Sequence, residues 1–239
     1  MRSLLPLDAS AHASQLDTIT LFVHVLMALL FVGWGSFFVY TLIRFRASRN
    51  PRASYQGASS RASLWAEAGV VVAELLLLVG FSIPAWASRV NDLPRADQAT
   101  VIRVVAEQFA WNAHYPGPDG QFGRTDVSLI AADNPLGLDR RSTFAADDVV
   151  SVGQIGVPIG RPVIVQLSAK DVIHSFGVPA MRVKQDAIPG MMTPVWFTPT
   201  VAGDFDIACS QLCGFGHYRM RGVLKVMDDG QFRAWLASR

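Results

Sequence analysis

Residues 204–228 read DFDIACSQLCGFGHYRMRGVLKVMD, in which two segments of β-strand character, DFDIA and GVLKVMD, enclose a loop rich in metal-binding side chains. Within the loop, Cys209 and Cys213 are followed by His217 and Met220. Thiolate, imidazole and thioether together form a ligand set for copper. Two thiolates at this spacing can bridge two copper ions. The stretch therefore predicts a β-rich domain that holds copper in a loop between strands.

Other chemistries for the two cysteines fit less well. Cys209 and Cys213 are the only cysteines among 239 residues, and a disulfide between them is possible in an oxidising compartment. A disulfide leaves His217 and Met220 without a role. A mononuclear blue-copper site uses a single cysteine, and zinc accepts a Cys2His2 set without needing methionine. A further histidine, His174 in DVIHSF, can complete a binuclear copper site with two histidines.

The charge distribution gives no sign of a nucleic-acid partner. The net charge is +2, and residues 100–239 contain 13 basic and 13 acidic side chains. That part of the chain has no net basic field of the kind that attracts phosphate backbones. Hydrophobic residues make up 51% of the chain, which is high for a purely soluble protein. The length and composition together suggest one domain plus a membrane anchor.

Two apolar segments in the N-terminal part predict a transmembrane hairpin. Residues 18–43, TITLFVHVLMALLFVGWGSFFVYTLI, contain no acidic or basic side chain, and about 20 apolar residues suffice to cross a bilayer. We expect helices over about 18–44 and 64–88. The first does not resemble a cleaved signal peptide, because no Ala-x-Ala site follows it and it runs into a basic loop.

The loop between these helices predicts the orientation. It contains only basic charged residues, namely Arg44, Arg46, Arg49, Arg52 and Arg61. The positive-inside rule places such a loop in the cytoplasm. Both termini and the C-terminal domain then lie on the outer face.

Two carboxylates, Glu67 and Glu74, lie in the second apolar segment. Ionisable groups in a membrane segment are costly and are candidates for a functional role. Glu67 is near the cytoplasmic end, so an interfacial position is the alternative. Glu74 lies about two turns deeper, where we expect it to face another protein surface.

From about Thr100 the pattern changes to short β-branched segments separated by Gly, Pro and Asn/Asp clusters, which predicts an all-β, antiparallel sandwich or barrel. Residues 1–98 would contain the N-terminal segment and the hairpin, and residues 99–239 the extracytoplasmic domain. Residues 116–148 predict a long excursion with turns. The aspartates of this stretch either belong to a solvated loop or form an acidic docking surface for a basic electron carrier.

The chain resembles subunit II of haem–copper cytochrome c oxidases over about residues 18–230. The resemblance is carried by the hairpin, the segment Gln108-Phe-Ala-Trp111, the stretch DVIHSFGVPAMRVKQDAIPG and the cysteine loop. It implies a cupredoxin-like β domain with a binuclear copper centre, CuA. The side-chain ligands that it implies are His174, Cys209, Cys213, His217 and Met220, and Gln211 would contribute its main-chain carbonyl.

Two departures from the family pattern change what the resemblance implies. Many members have Glu where this chain has Gln211, and that Glu also reaches a magnesium ion at the interface with subunit I. An amide is a poorer ligand for a hard cation than a carboxylate, so a magnesium site is doubtful here. Members commonly have Trp at the position of Phe109, where electrons enter. Trp111 matches the second aromatic residue and has either a coupling role or an ordinary core role.

The resemblance also implies a function and partners. The chain would accept electrons from a separate c-type cytochrome and pass them to haem in subunit I, where oxygen is reduced to water with proton pumping. Glu67 aligns with a glutamate near the entrance of a proton-uptake channel. Gln211 and the Gln-Phe-Ala-Trp pattern resemble divergent bacterial oxidases, which places the protein in a bacterial inner membrane. Alternatives are a CuA-containing subunit of a nitric oxide reductase and a copper-carrying assembly protein.

Overall fold

The computed structural model describes residues 5–52, 55 and 60–239. These residues form two compact units, one comprising residues up to Ser14 together with Leu93–Arg239, and the other Gln15–Asp92.

The second unit consists of helices. Helix α1 spans Ala13–Arg44, and α2 spans Arg61–Leu77 and continues through a π-helical turn, Leu78–Ser82, into α3, Ile83–Asn91. Helix α1 and the continuous helical stretch Arg61–Asn91 are each long and apolar enough to cross a membrane, and almost none of their residues are buried. Their apolar side chains need a nonpolar environment that the chain itself does not supply, which is the pattern of membrane-anchoring helices.

The two helices contact each other through apolar side chains. The rings of Phe22 and Phe81 meet edge to face with 5.4 Å between their centroids. Glu74 lines a groove between the helices together with Val23 and Met27. At the start of α2, Ser60 caps the helix by accepting from the N–H of Ser63, which satisfies one of the free donors of the first turn.

The first unit is a β-sandwich. Its ten strands are β1 Thr100–Glu107, β2 Ala110–Tyr115, β3 Val149–Val152, β4 Gln154–Pro158, β5 Val163–Ala169, β6 His174–Val178, β7 Val183–Ala187, β8 Thr193–Phe197, β9 Gly203–Cys209 and β10 Arg221–Met227. They form two five-stranded sheets, in the orders β3-β2-β1-β5-β8 and β4-β10-β9-β6-β7. The pairs β1–β5 and β10–β4 are parallel, and the other pairs are antiparallel.

The core lies between the two sheets. Strand β1 alternates buried and partly exposed positions, so Ile102, Val104 and Ala106 point inward. Large inward side chains include Trp111 and Phe176, whose rings meet edge to face at 5.4 Å. Helix α4, Asp229–Ala237, begins with a capping box between Asp228 and Gln231 and closes the chain against β4. The expected all-β cupredoxin-like domain is confirmed.

The N-terminal segment Pro6–Ala13 packs on this β domain. The N–H groups of Ala9 and Ala11 donate to the carbonyls of Ala180 and Thr198, each at 3.0 Å. Arg182, in a left-handed conformation with φ of 53°, donates to the carbonyls of Pro6 and Leu7. Ala9 and Ala13 are fully buried. This segment leads into the first residue of α1, so the β domain contains a piece of chain from each side of the helical unit.

Candidate metal centre

The cysteine loop is closed at its base by the β9–β10 ladder. Strand β9 ends at Cys209, β10 begins at Arg221, and Arg221 pairs with Ala208. The N–H of Cys209 donates to the carbonyl of Met220 at 3.2 Å. The antiparallel pairing therefore brings together the two ends of the ligand-rich segment, eleven positions apart in the sequence.

The ligand side chains in this loop lie around the two cysteine sulfur atoms. The Sγ atoms of Cys209 and Cys213 are 3.7 Å apart. The Sγ of Cys213 lies 3.7 Å from both the Nδ1 of His217 and the Sδ of Met220. A disulfide bond is about 2 Å long. Both cysteines are therefore free thiols, and the disulfide alternative is not what the structure contains.

His174 enters this cluster from the neighbouring strand. It is the first residue of β6, which pairs with β9 so that Phe176 lies opposite Cys209. Its Nδ1 is 3.1 Å from the Sδ of Met220 and 4.0 Å from the Sγ of Cys209. The ligand atoms of His174, Cys209 and Cys213 all lie within 4.8 Å of one another, as a shared metal site requires.

A carboxylate fixes the orientation of His174. The Nε2 of the fully buried imidazole donates to Asp171 Oδ1 at 2.8 Å, which leaves the Nδ1 lone pair facing the sulfur atoms. Burial alone would raise the pKa of Asp171, but hydrogen bonds from His174 and from the N–H groups of Gln108 and Val172 hold that pKa below its ordinary value. Histidine ligands of metals commonly donate their other N–H to a carboxylate in this way.

The main-chain carbonyl of Gln211 also points into the cluster. Its oxygen lies 3.1 Å from the Sγ of Cys209, and the residue as a whole is exposed. The structure thus brings together all six of the predicted ligand groups. Soft sulfur donors with imidazoles and a weak thioether suit copper, so the residues present fit the expected metal.

The surroundings of the Cys213 thiol disfavour its thiolate form. Burial, and then the hydrogen-bonded thiol of Cys209, raise the pKa of Cys213 to about 11. Thiolates are the metal-binding form, so uptake of a soft metal requires the loss of this proton.

The two other candidate residues lie apart from the ligand cluster. Trp111 is fully buried in β2, with its ring centroid 6.3 Å from that of His174. Its Nε1 has no hydrogen-bond partner among the described residues. Glu67 is exposed on α2, in the helical unit, and accepts from the Oγ of Ser63 at 2.9 Å.

Sequence reasoning did not identify Asp171 and Gln108 as residues of this site. The Nε2 of Gln108 donates to the carbonyl of Cys213 at 2.6 Å, and its main-chain N–H donates to Asp171 Oδ2 at 2.7 Å. An acidic residue three positions before a ligand histidine was a visible signal for Asp171. The contact of Gln108 joins positions 105 residues apart, and the sequence has no local signal for it.

A β-sandwich that gathers two thiols, two imidazoles and a thioether at a loop between its strands defines the class of cupredoxin-like domains, attached here to two apolar helices. Residues 100–227 match the family described as cytochrome c oxidase subunit II, periplasmic domain. The chain belongs to the cytochrome c oxidase subunit II family, as the resemblance predicted.

Individual relatives agree with this assignment. The chain is 37% identical over 201 residues to the alternative cytochrome c oxidase subunit 2 of Bradyrhizobium diazoefficiens, covering 84% of this chain and 71% of the relative. It is 30% identical over 243 residues to cytochrome c oxidase subunit 2 of Cereibacter sphaeroides, covering 96% and 77%. It is also similar to the crystal structure of the periplasmic domain of subunit II of cytochrome oxidase (CoxB) of Bradyrhizobium japonicum, with 33% identity, 61% of this chain and 94% of that chain covered, and a TM-score of 0.44.

Proposed function

We propose that this chain is the electron-accepting subunit of a haem–copper terminal oxidase. It receives electrons from a c-type cytochrome and passes them to haem in subunit I, where oxygen is reduced to water with proton pumping. The observation that carries this proposal is the convergence of His174 with the cysteine loop on one set of sulfur and nitrogen donors, of which His174, Cys213 and Met220 are buried. Membership of the oxidase subunit II family supports the same role.

The ligand groups in the proposed centre have distinct tasks. Cys209 and Cys213 would hold the copper ions through their thiolates, and His174 and His217 would supply imidazole ligands. Met220 and the Gln211 carbonyl would be weak additional ligands. Such a copper pair, when bound, supplies a one-electron redox centre whose charge is shared by two ions. Ligands fixed in advance by β6, β9 and β10 keep the rearrangement on electron transfer small, which is the benefit of preorganisation.

We infer a bacterial inner-membrane location with a periplasmic β domain. The basic loop between the helices favours the cytoplasm. The packing of Pro6–Ala13 on the β domain supports the same topology, because this segment and the domain must then lie on the same side of the membrane. Both termini would be periplasmic, and residues 1–98 and 99–239 would be the anchor and soluble parts, except that Pro6–Ala13 joins the latter.

Glu67 is proposed to lie near the entrance of a proton-uptake channel formed with subunit I. Its exposure on α2 leaves its carboxylate available to a partner. Glu67→Gln should slow proton-coupled turnover of the assembled oxidase without changing copper spectra. Unchanged turnover would return Glu67 to the role of an ordinary interfacial residue.

Trp111 is proposed to couple the centre to the donor side, because its ring contacts that of His174. Trp111→Phe should slow electron transfer from the donor while leaving the copper spectrum intact, and an unchanged transfer rate would assign Trp111 to the core alone.

The exposed amide of Gln211 offers no carboxylate for magnesium. Metal analysis should therefore find copper without a stoichiometric magnesium ion.

The proposal as a whole is tested by purifying the native complex that contains the full chain. Metal and haem analysis should find copper and haem, and the complex should consume oxygen with a reduced c-type cytochrome. Reduction of nitric oxide in place of oxygen would assign the chain to a nitric oxide reductase. A chain isolated without a haem subunit and carrying one exchangeable copper would instead indicate an assembly protein.

A further inference from the structure

The turn between β1 and β2 packs directly against the cysteine loop. This turn consists of Gln108 and Phe109 and belongs to the sheet that contributes no metal ligand, since the ligand strands β6, β9 and β10 form the other sheet. The turn therefore reaches the centre from the opposite layer of the sandwich. A hydrogen bond from this turn to the cysteine loop therefore links the metal site to the sheet that contributes no ligand.

Gln108 contacts both ligand-bearing segments at once. Its side-chain Nε2 donates to the carbonyl of Cys213 at 2.6 Å. Its main-chain N–H donates to Oδ2 of Asp171 at 2.7 Å, and the other oxygen of Asp171 accepts from the imidazole of His174 at 2.8 Å. A continuous chain of three hydrogen bonds thus runs from Cys213 to His174 without using a ligand atom of the cysteine.

The loop also packs closely on the turn. A Cβ atom added at Gly216 would collide with the ring of Phe109, and one added at Gly214 would come within 2.7 Å of the Nε2 of Gln108. Gly214 has a φ of 128°, a conformation that other residues rarely adopt. The two glycines allow the loop backbone to approach the turn at a distance that any side chain would prevent.

We propose that Gln108 is a positioning residue for the metal centre. By holding the Cys213 carbonyl it fixes the direction of the bond from Cα to Cβ and so the position of the sulfur. Through Asp171 it supports the orientation of the His174 ring. The inference rests on the proposed copper site, since it assigns a residue that arranges the same donors.

Three variants of the full-length chain test the role of the Gln108 amide. Gln108→Leu removes the donor with little change in size, and Gln108→Glu keeps the length but presents oxygen to the Cys213 carbonyl. Gln121→Leu is the control, because Gln121 is an exposed glutamine in a loop of the same domain. Gln108 is itself exposed, so its replacement leaves the core intact.

Copper release to a chelator is the first measurement. Loss of an outer-shell partner typically weakens metal binding about 10- to 100-fold, so both Gln108 variants should release copper about 10-fold faster than wild type and should shift the copper spectrum. The control should match wild type. Release within about twofold of wild type in Gln108→Leu, or wild-type behaviour of Gln108→Glu, would overturn the proposal, since 10-fold is the expected minimum.

Hydrogen exchange of the metal-free chain is the second measurement and does not depend on copper. The N–H groups of His217, Arg219 and Met220 are bonded within the loop. Loss of a hydrogen bond worth about 0.7 kcal/mol should speed exchange in residues 210–220 about threefold in Gln108→Leu. Unchanged exchange would contradict the positioning role. If wild type took up no copper pair, the proposed function would fail, whereas this exchange comparison would still decide the role of Gln108.

Discussion

Two buried histidines in the β domain, His174 and His114, each donate to an aspartate from Nε2, yet they lie in regions with different properties. His174 donates to Asp171 at 2.8 Å and presents Nδ1 to two thiols and a thioether. His114, on β2, donates to Asp148 at 2.5 Å and packs edge to face on Phe122. The same histidine–aspartate pair thus occurs once in the ligand cluster and once at the base of the 116–148 excursion.

The surroundings decide what each pair does. Asp148 is buried and also accepts from the N–H of Gly123, while Arg140 donates to its main-chain carbonyl at 2.7 Å. Burial, opposed by the hydrogen bond to Asp148, holds the pKa of His114 below its ordinary value, and the charges of Arg103 and Arg140 act in the same direction as burial. No sulfur ligand is nearby among the described residues. The His114 pair therefore ties the excursion to the sheet, whereas the His174 pair orients a proposed metal ligand.

The contacts made by aspartates of the 116–148 excursion argue against the interpretation of this stretch as an acidic docking surface. Asp148 is buried, and Asp126 and Asp139 both lie within 4.0 Å of the guanidinium of Arg124. Asp126 also caps a turn by accepting from Ser128. These carboxylates are partly neutralised and have structural partners, which favours the alternative of an ordinary loop.

The largest effect is expected for replacement of a cysteine in the cluster around His174. Cys213→Ser should abolish the binuclear copper centre, because a hydroxyl cannot replace a thiolate between two soft ions. EPR spectroscopy of the copper-loaded chain measures this. Leu212→Ala changes the exposed neighbouring side chain and should keep the spectrum. A mixed-valence copper signal that survives in Cys213→Ser would show that the ligand assignment is wrong.

A large stability effect is expected on the His114 side. Asp148→Leu leaves the Nε2–H of His114 and the N–H of Gly123 without their acceptor in a buried site. Such a loss should lower the free energy of unfolding by about 3 kcal/mol, measured by denaturant titration. Asp133→Leu, at an exposed position of the same excursion, should change it by less than about 0.5 kcal/mol. Equal stability of the two variants would contradict the anchoring role.

A smaller effect is expected from pH. Because the pKa of His114 is lowered in the folded protein, the unfolded chain binds more protons once the pH falls below about 6.5. The contribution of the neutral, buried His114 to the free energy of unfolding is fully present above that pH. It is lost as the pH falls, with a slope of at most about 1.4 kcal/mol per pH unit.

His114→Gln removes this titration while keeping a donor for Asp148. Denaturant titrations at several pH values should therefore show a flatter acid-side profile for the variant than for wild type. Parallel profiles would mean that His114 does not contribute to the pH dependence of stability.

The smallest effect is expected at Gln211. Its carbonyl, not its exposed side chain, points at Cys209. Gln211→Ala should therefore keep the copper spectrum essentially unchanged, as measured by absorption and EPR. Complete loss of copper would show that the side chain is the ligand.

Local patterns were enough to propose the ligands and to predict the membrane-length helices. The spacing of Cys209, Cys213, His217 and Met220 can be read directly from the sequence, and the helices follow from the lengths of the apolar runs. The first observed helix, Ala13–Arg44, begins before the predicted start and ends at the predicted residue, whereas the second, Arg61–Asn91, extends a few residues beyond both predicted limits. Polar flanking residues continue the helical hydrogen bonding at these extended ends.

Long-range contacts were not predictable in the same way. The support of Cys213 by Gln108, the pairing of His114 with Asp148 and the docking of Pro6–Ala13 each join distant segments through polar contacts. Neither periodicity nor spacing encodes such contacts. They depend on which loops the two sheets bring together.

The central claim is that His174 and the cysteine loop hold a pair of copper ions. The most direct test is copper analysis with EPR of the purified full-length chain after loading with copper. The account predicts two copper ions per chain and a mixed-valence spectrum with coupling to both nuclei. A single copper ion with the spectrum of an isolated cupric site, or a preference for zinc over copper, would contradict it.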